Sequence, residues 1–348
     1  MSNREETRRI QFTGKSSYIV SLPKQWVNEL GLKQGDQITI SREGRSSLKI
    51  TPVKEQTKSS QGEEAILEIS REDDNAAIVR RLVSLYFLGY KIIQIKPKSD
   101  RLQPGQRNAI KSAVKGMLMG GEIISDSIDG ITIQVLVNLL ELTVDGAFKR
   151  MLHLAKSMLH DALLAVKETN LELAKEVIDS DDEVDRFGFY IIRQLKIAIQ
   201  NEYMLQEMGF VNARQCLGYR LVVKNIERTG DHAVLIAKDL LEFKESVRKD
   251  AMEKIEDLNE FAINVLDQAC LALFKEDFAQ AEKAIEKASE LHKYEKKIIE
   301  STKAIKDEEE AYRIRRMTEN ITRIAEYASD IAEIVLNMNV EKLLKKRQ

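Results

Sequence analysis

The chain reads as a multi-domain protein: a small β domain over residues 1–52, a small α/β domain with an open sheet over 63–140, and an all-α bundle of two three-helix repeats over 143–340. Three observations lead there. The first stretch holds short apolar runs cut by Gly14, Pro23, Gly31, Gly35 and Gly44. A segment rich in Lys, Ser, Thr and Gln, 53–62, has no apolar period and separates it from alternating strand and helix patterns. From Thr143 onward apolar residues recur at spacings of three and four, and the pattern then repeats itself.

With 348 residues, 43% hydrophobic and 32% charged, the chain can bury more than one core. A formal charge of −2 means that any nucleic-acid surface is local rather than global. Cys216 and Cys270 stand far apart without a Cys-x-x-Cys spacing, which argues against a disulfide framework and against thiolate zinc. No apolar run approaches the ~20 residues that span a bilayer. No charged-then-apolar leader opens the sequence, so the expected location is cytoplasmic with no membrane insertion.

In the N-terminal domain, strands are expected over 8–12, 17–21, 37–41 and 48–50, with one short helix over 24–30 begun by Pro23 and stopped by Gly31. So few strands cannot close a core alone, and pairing with a second copy as a homodimer is the natural remedy. Lone Trp26 reads as a plug on the short helix rather than a base-stacking platform. The stretch GKSSYIVSLPKQWVNELGLKQGDQITI resembles the AbrB/SpoVT-type swapped-hairpin DNA-binding domain, which builds one interleaved β barrel from two chains. That resemblance implies DNA contact through basic residues on one barrel face. Arg4, Arg8, Arg9, Lys15 and Lys24 suit the phosphate-contacting role. The same fold also serves as a dimer clip or an antitoxin-type partner-binding module.

After the hinge, a strand over 65–70 and a helix over 75–88, capped by Asp74 and ended by Gly89, lead to a strand over 91–96 and a helix with Pro104 in its first turn. Strands over 122–127 and 131–137 then make a hairpin around Asp129-Gly130. The order β-α-β-α-β-β gives a small open sheet with helices on one face. Such a shape serves both effector binding and dimerisation, and no residue there is assigned a site.

Breaks near Thr169, Gly209, Glu245, Lys275 and Lys306 divide the remainder into six helices. Residues 171–185 align with 278–292, and 225–240 with 320–335, so two three-helix units packed through the same seams are expected. Within 171–198 the seam runs Ala174, Val177, Asp181, Val184, Gly188, Ile191, Leu195 and Ala198, which places an aspartate at a core position. Asp185 follows one turn later. On the helix whose buried face is Val222, Ile226, Thr229, Ala233, Ile236 and Leu240, Glu227 and Asp231 border that face one turn apart.

Lys224 and Arg228, each three residues ahead of an acid, would satisfy the second pair as an exposed ion-pair ladder. A seam carboxylate must be paired, protonated or metal-bound. Two Asp/Glu-x-x-x-Asp pairs on packed helices would make the oxygen-rich pocket that hard cations use. His232, beside the motif, is either a ligand candidate or a hydrogen-bonded structural residue.

The segments NIERTGDHAVLIAKDL and NITRIAEYASDIAEIV resemble the paired signature helices of PhoU, the phosphate-signalling adaptor family. The resemblance implies a divalent or trivalent metal ion held by Asp181, Asp185, Glu227 and Asp231. In the second repeat Ala288, His292 and Thr322 replace three of these acids, Glu326 stands for Asp231, and Asp330 supplies a shifted pair. Solvated salt bridges to Arg323 are expected there instead.

Joined to the N-terminal module, the bundle resembles the phosphate-uptake regulators of archaea, which implies a transcriptional regulator whose operator binding answers to a phosphate or metal signal. The rival is an adaptor that docks on a phosphate ABC-transporter ATPase or a sensor kinase, with the N-terminal domain only dimerising it. An enzyme is not expected, because the carboxylate helices lack Glu-x-x-His pairs and no activated nucleophile or general base stands out.

Overall fold

The computed structural model describes residues 7–14, 17–43, 47–52, 64–137, 141–200, 202–303 and 305–340. The chain divides into two compact units, the first ending at Glu64 and the second beginning at Ala65.

In the first unit β1 (Gln11–Thr13) pairs antiparallel with β2 (Ser17–Ile19), and β3 (Ile38–Glu43) with β4 (Ser47–Pro52). Helix α1 (Lys24–Glu29) lies between the two pairs in sequence, with Pro23 at its N-cap and Gly31 in the left-handed region just after it. Strand β1 starts at Gln11, so Arg8 and Arg9 precede it rather than belonging to it. Strands β3 and β4 are longer than expected because they pair over six positions, from Ile38 opposite Pro52 to Glu43 opposite Ser47. Among its described residues the unit has little interior of its own. Phe12, Tyr18, Ile19, Ile40 and Leu48 are exposed, Tyr18 at 73% and Leu48 at 69%. Two-stranded pairs of this size do not hold alone, so these apolar faces need a further layer to cover them.

The second unit holds two hydrophobic cores. The smaller is built on a four-stranded sheet in the order β5-β6-β8-β7, from β5 (Glu64–Ile69), β6 (Ile92–Pro97), β7 (Gly121–Ser127) and β8 (Gly130–Val135). Strand β8 runs antiparallel to both neighbours. Helices α2 (Asn75–Phe87) and α3 (Pro104–Met117) cover one face, where Ile78, Leu82, Tyr86, Ile110 and Val114 join Ile69, Ile93, Ile95, Ile131 and Ile133 in the core. Alternation then turns Ile66 and Ile124 to the other face, and both are exposed. At the β7–β8 turn Gly130 takes φ +140, and a Cβ there would lie 2.2 Å from the Ile95 carbonyl oxygen, which only glycine avoids.

The larger core belongs to the helices α4 (Val144–Glu168), α5 (Leu171–Ala198), α6 (Glu202–Glu207), α7 (Ala213–Phe243), α8 (Lys249–Lys275), α9 (Phe278–Ala288), α10 (Leu291–Thr302) and α11 (Glu308–Asn339). Side chains of Thr143, Asn170, Asn212, Asp277 and Asp307 cap five of these starts, each accepting from a first-turn N–H. Thr169, Lys244 and Glu276 stop helices in the left-handed conformation, close to the expected breaks.

Two features depart from six helices. The short α6 interrupts the connection from α5 to α7, and the second repeat's middle helix is split in two at Ser289 and Glu290. There His292 Nδ1 donates to the Ser289 carbonyl at 2.7 Å, and the Lys293 N–H bonds to Glu290 instead of continuing the regular ladder.

Helix α5 joins the two cores. Arg193, 3% exposed, donates to the carbonyls of Tyr86, Gly89 and Tyr90 at the end of α2, the last two at 3.1 and 3.0 Å, with its guanidinium 4.7 Å above the Tyr86 ring. Tyr86 lies in the last turn of α2 and Gly89 and Tyr90 just beyond it, so the cation also meets the negative end of the helix dipole. Tyr190 and Gln194 on the same helix donate to the Leu142 carbonyl at 2.9 and 2.8 Å, fixing the connection into the bundle. Cys216 and Cys270 are buried and free. Among the described residues no helix is long and apolar enough to cross a membrane.

Candidate functional site

Helix α7 divides its polar residues between two neighbours. Towards α11, His232 Nδ1 lies 2.9 Å from Asn320 Oδ1 and its Nε2 lies 3.1 Å from the Tyr327 hydroxyl. With the Asn320 oxygen as acceptor, Nδ1 carries the proton and Nε2 accepts from the tyrosine. Both ring nitrogens are thus engaged, and His232 pins the repeats together rather than offering a metal ligand. Arg228 turns the same way, its guanidinium 5.6 Å from the Tyr327 ring centroid. Buried Asp239, paired at 2.6 Å with Arg316 of α11, adds a third link that periodicity did not single out. Burial lifts the Asp239 carboxyl to about 6 against the pull of Arg316.

Towards α5 the motif presents its acids. Gly230 sits in the wall that faces α5. A Cβ added there would lie 3.3 Å from Asp181 Oδ1 and 3.5 Å from Val184 Cγ1, so the missing side chain lets the two helices close up around the aspartate. Asp181 Oδ1 is buried and has no hydrogen-bond partner among the described residues. Burial first, and then the charges of Asp231, Asp182 and Glu227, push Asp181 up to about 6. Asp185 is pushed up to about 7 by burial, followed by Glu227, Asp181 and Asp231. Lys238 and Lys224 oppose these shifts, the first at Asp181 and the second at Asp185. The structure therefore brings Asp181, Asp185, Glu227 and Asp231 into one electrostatic neighbourhood. Asp182 is a fifth contributor, legible only as part of the acidic run DSDDEVD.

The ion-pair ladder forms on one rung: Lys224 Nζ hydrogen-bonds Glu227 Oε1, whereas Arg228 is turned to Tyr327. Asp231 is exposed. Among the described residues no three His, Cys, Asp or Glu side chains stand in a geometry that could hold a metal ion. The donor chemistry of the four acids and the orphaned Asp181 oxygen fit a hard cation, but their side chains would have to turn inward to enclose one. In the second repeat Arg323 pairs with Glu326 at 2.8 Å on an exposed face, and Thr322 donates to Glu295 at 3.2 Å. This is the salt-bridged arrangement expected there. In the first unit Arg8, Arg9 and Lys24 are exposed. Arg4 and Lys15 lie outside the described residues.

These features define a duplicated three-helix-bundle protein, with an acid-lined seam in its first repeat, that also carries an N-terminal β module. The model of the PhoU domain matches residues 148–240 and 255–335, half of the chain, and the chain belongs to the PhoU family. Residues 11–58 match the family described as antidote-toxin recognition MazE, bacterial antitoxin.

A curated relative, the phosphate-specific transport system accessory protein PhoU homolog of Aquifex aeolicus, is 28% identical over 148 residues, 42% of this chain and 65% of the relative. The match thus spans less than two thirds of that relative's length. The crystal structure of PhoU from Pseudomonas aeruginosa superposes with a TM-score of 0.50 at 17% identity, over 57% of this chain and 96% of that one. The phosphate transport system regulatory protein PhoU from Streptococcus pneumoniae gives 0.48 at 18% identity, over 60% and 100%. At such identities the likeness to the Pseudomonas structure concerns the fold.

Proposed function

We propose that the protein is a DNA-binding transcriptional regulator of phosphate uptake, in which the PhoU bundle controls an N-terminal DNA-binding dimer. The observation that carries this reading is the joining, on one chain, of a MazE-type module to a PhoU domain. The module's exposed apolar faces suit completion by a second copy, and Arg4, Arg8, Arg9, Lys15 and Lys24 would then neutralise DNA phosphates. Phosphate as the signal is drawn from the name of the Aquifex relative.

Within the bundle, Asp181, Asp185, Glu227 and Asp231 would hold a divalent or trivalent cation. When bound, it supplies the positive charge that the site lacks. These residues would then do two things. Asp181 and Asp185 would release the protons that their raised pKa values retain, and the seam between α5 and α7 would tighten as repulsion among the acids is removed. Because α5 also carries Arg193, a shift of that helix would reach the sheet domain through the end of α2.

The Aquifex relative is named as a transport-system accessory protein, which favours a second reading. In it the bundle docks on a phosphate transporter ATPase or a sensor kinase, and the N-terminal unit only dimerises the chain. A mobility-shift experiment with DNA from upstream of phosphate-transport genes separates the two. Retarded DNA whose yield changes with added phosphate supports the regulator. A dimer that retards no such fragment, with or without phosphate, supports the adaptor.

A further inference from the structure

The first helices of the two repeats, α4 and α8, lie side by side and antiparallel. Lys156 Nζ bonds both Asp267 carboxylate oxygens at 2.7 and 2.8 Å, and Lys167 meets Glu256 at 2.7 Å. The two matches to the PhoU domain begin at Phe148 and Ile255. In that register the inward faces agree position by position, since Met151 and Leu258, Ala155 and Ala262, Met158 and Val265, and Ala162 and Ala269 are all buried.

The outward faces agree in shape and disagree in sign. Lys149 and Arg150 on α4 correspond to Glu256 and Asp257 on α8, and the uncharged position of His153 to Glu260. One end of this face is therefore basic and the other acidic.

The acidic end is a groove of about 540 Å³ between α4 and α8, lined by Asp161, Glu253, Glu256, Asp257 and Glu260 together with Lys167. Asn259, which also lines it, is 2% exposed, and its Oδ1 has no hydrogen-bond partner among the described residues. The four acids from Glu253 to Glu260 are strung along two helical turns, about 10 Å, instead of converging on a point. No three of them stand so as to hold a metal ion. The groove calls for a row of cationic donors, and such a row is present at the other end of the same face.

We infer that this face is an interface between two copies of the chain, in which the acidic half of α8 in each copy packs against the basic half of α4 in the other. A twofold axis running obliquely across the two helices exchanges the basic end of α4 with the acidic end of α8, so each contact is made twice and both charge rows are matched. Leu164 and Leu271, equivalent positions exposed at 42% and 40%, add an apolar contact at either end. Within one chain the pairing cannot occur. Lys149 stands over the Phe274 ring at 4.8 Å. Lys167, the neighbour of Glu256, lies eighteen residues further along α4, about 27 Å away.

The test uses an equal mixture of isotope-labelled and unlabelled full-length chain, joined by a carbodiimide that links an amine to a carboxylate without a spacer. The expected products are mixed-isotope peptides joining Lys149 to Glu256, Asp257 or Glu260, lost in high salt. The variant carrying Glu256→Lys and Asp257→Lys should abolish them. Adding Lys149→Glu and Arg150→Glu to that variant should restore linkage between the same helices with the roles exchanged. Copies that link only within residues 1–64, links at α4 and α8 indifferent to charge reversal, or failure of the fourfold variant to restore them would each overturn the interface. Circular dichroism of every variant separates lost association from lost folding.

Discussion

Replacing Asp185 by asparagine should stabilise the protein, and the effect should grow with pH. In the folded chain Asp185 is pushed up to about 7 and Asp181 to about 6, from an ordinary 3.8. A carboxyl whose folded pKa is raised holds a proton that the unfolded chain has already released. The penalty for ionising it is therefore absent below about pH 4, grows from about pH 4 to about pH 7, and is complete above that. One pKa unit corresponds to about 1.4 kcal/mol. The two shifts share the same repulsion and do not add, and partial exposure screens part of it, so ionising the pair should cost about 3 kcal/mol. Asp185→Asn keeps the shape and removes one charge. In EDTA it should gain roughly 2 kcal/mol over the parent near pH 8 and nothing near pH 4. Urea unfolding of both proteins across that range measures the difference directly. A parent–variant difference that does not change with pH, or a variant less stable than the parent near pH 8, would refute the description of Asp185 as half-buried among like charges.

Three further outcomes are expected. The double change Glu227→Gln with Asp231→Asn should abolish cation binding by elemental analysis and make the thermal melt indifferent to EDTA, whereas chelation should lower the parent's melt. Arg193→Ala should destabilise the protein by about 3 kcal/mol, because it strips charged donors from one buried and two part-buried carbonyls at and just beyond the end of α2. Hydrogen exchange at residues 86–90 should rise with it, and unchanged protection there would deny the cap its role. Replacing Arg8, Arg9 or Lys24 should each lower the log–log salt slope of DNA binding by roughly one unit, and a slope that survives all three would move the contacts elsewhere.

Much of the fold was legible because local chemistry and burial agree. Asp74 caps the helix that its position announces, and Ala174, Val177, Val184 and Gly188 are buried as the seam required. The break at Ser289 was not legible, because it depends on where the His292 ring turns, a choice that apolar spacing does not encode. Arg193 escaped notice for a related reason. An arginine in a helix reads as a solvated side chain until the acceptors of a different domain are brought to it. At the acid site the pairing of α5 with α7 could be read from Asp181 in the seam. The direction taken by Arg228 could not, since it is decided by Tyr327 on the other repeat. The lengths of β3 and β4 likewise follow from pairing across the hairpin, which single-strand alternation underestimates.

The most direct test is a fluorescence anisotropy titration of DNA from upstream of phosphate-transport genes with the parent and with the Glu227→Gln, Asp231→Asn variant, each at low and at high phosphate in the presence of a divalent cation. If the bundle controls the N-terminal module, the parent's affinity changes between the two phosphate levels, while the variant binds DNA with an affinity that does not respond. Equal responses from both proteins would contradict control through the acid seam, and no binding by either would contradict a DNA-binding regulator altogether.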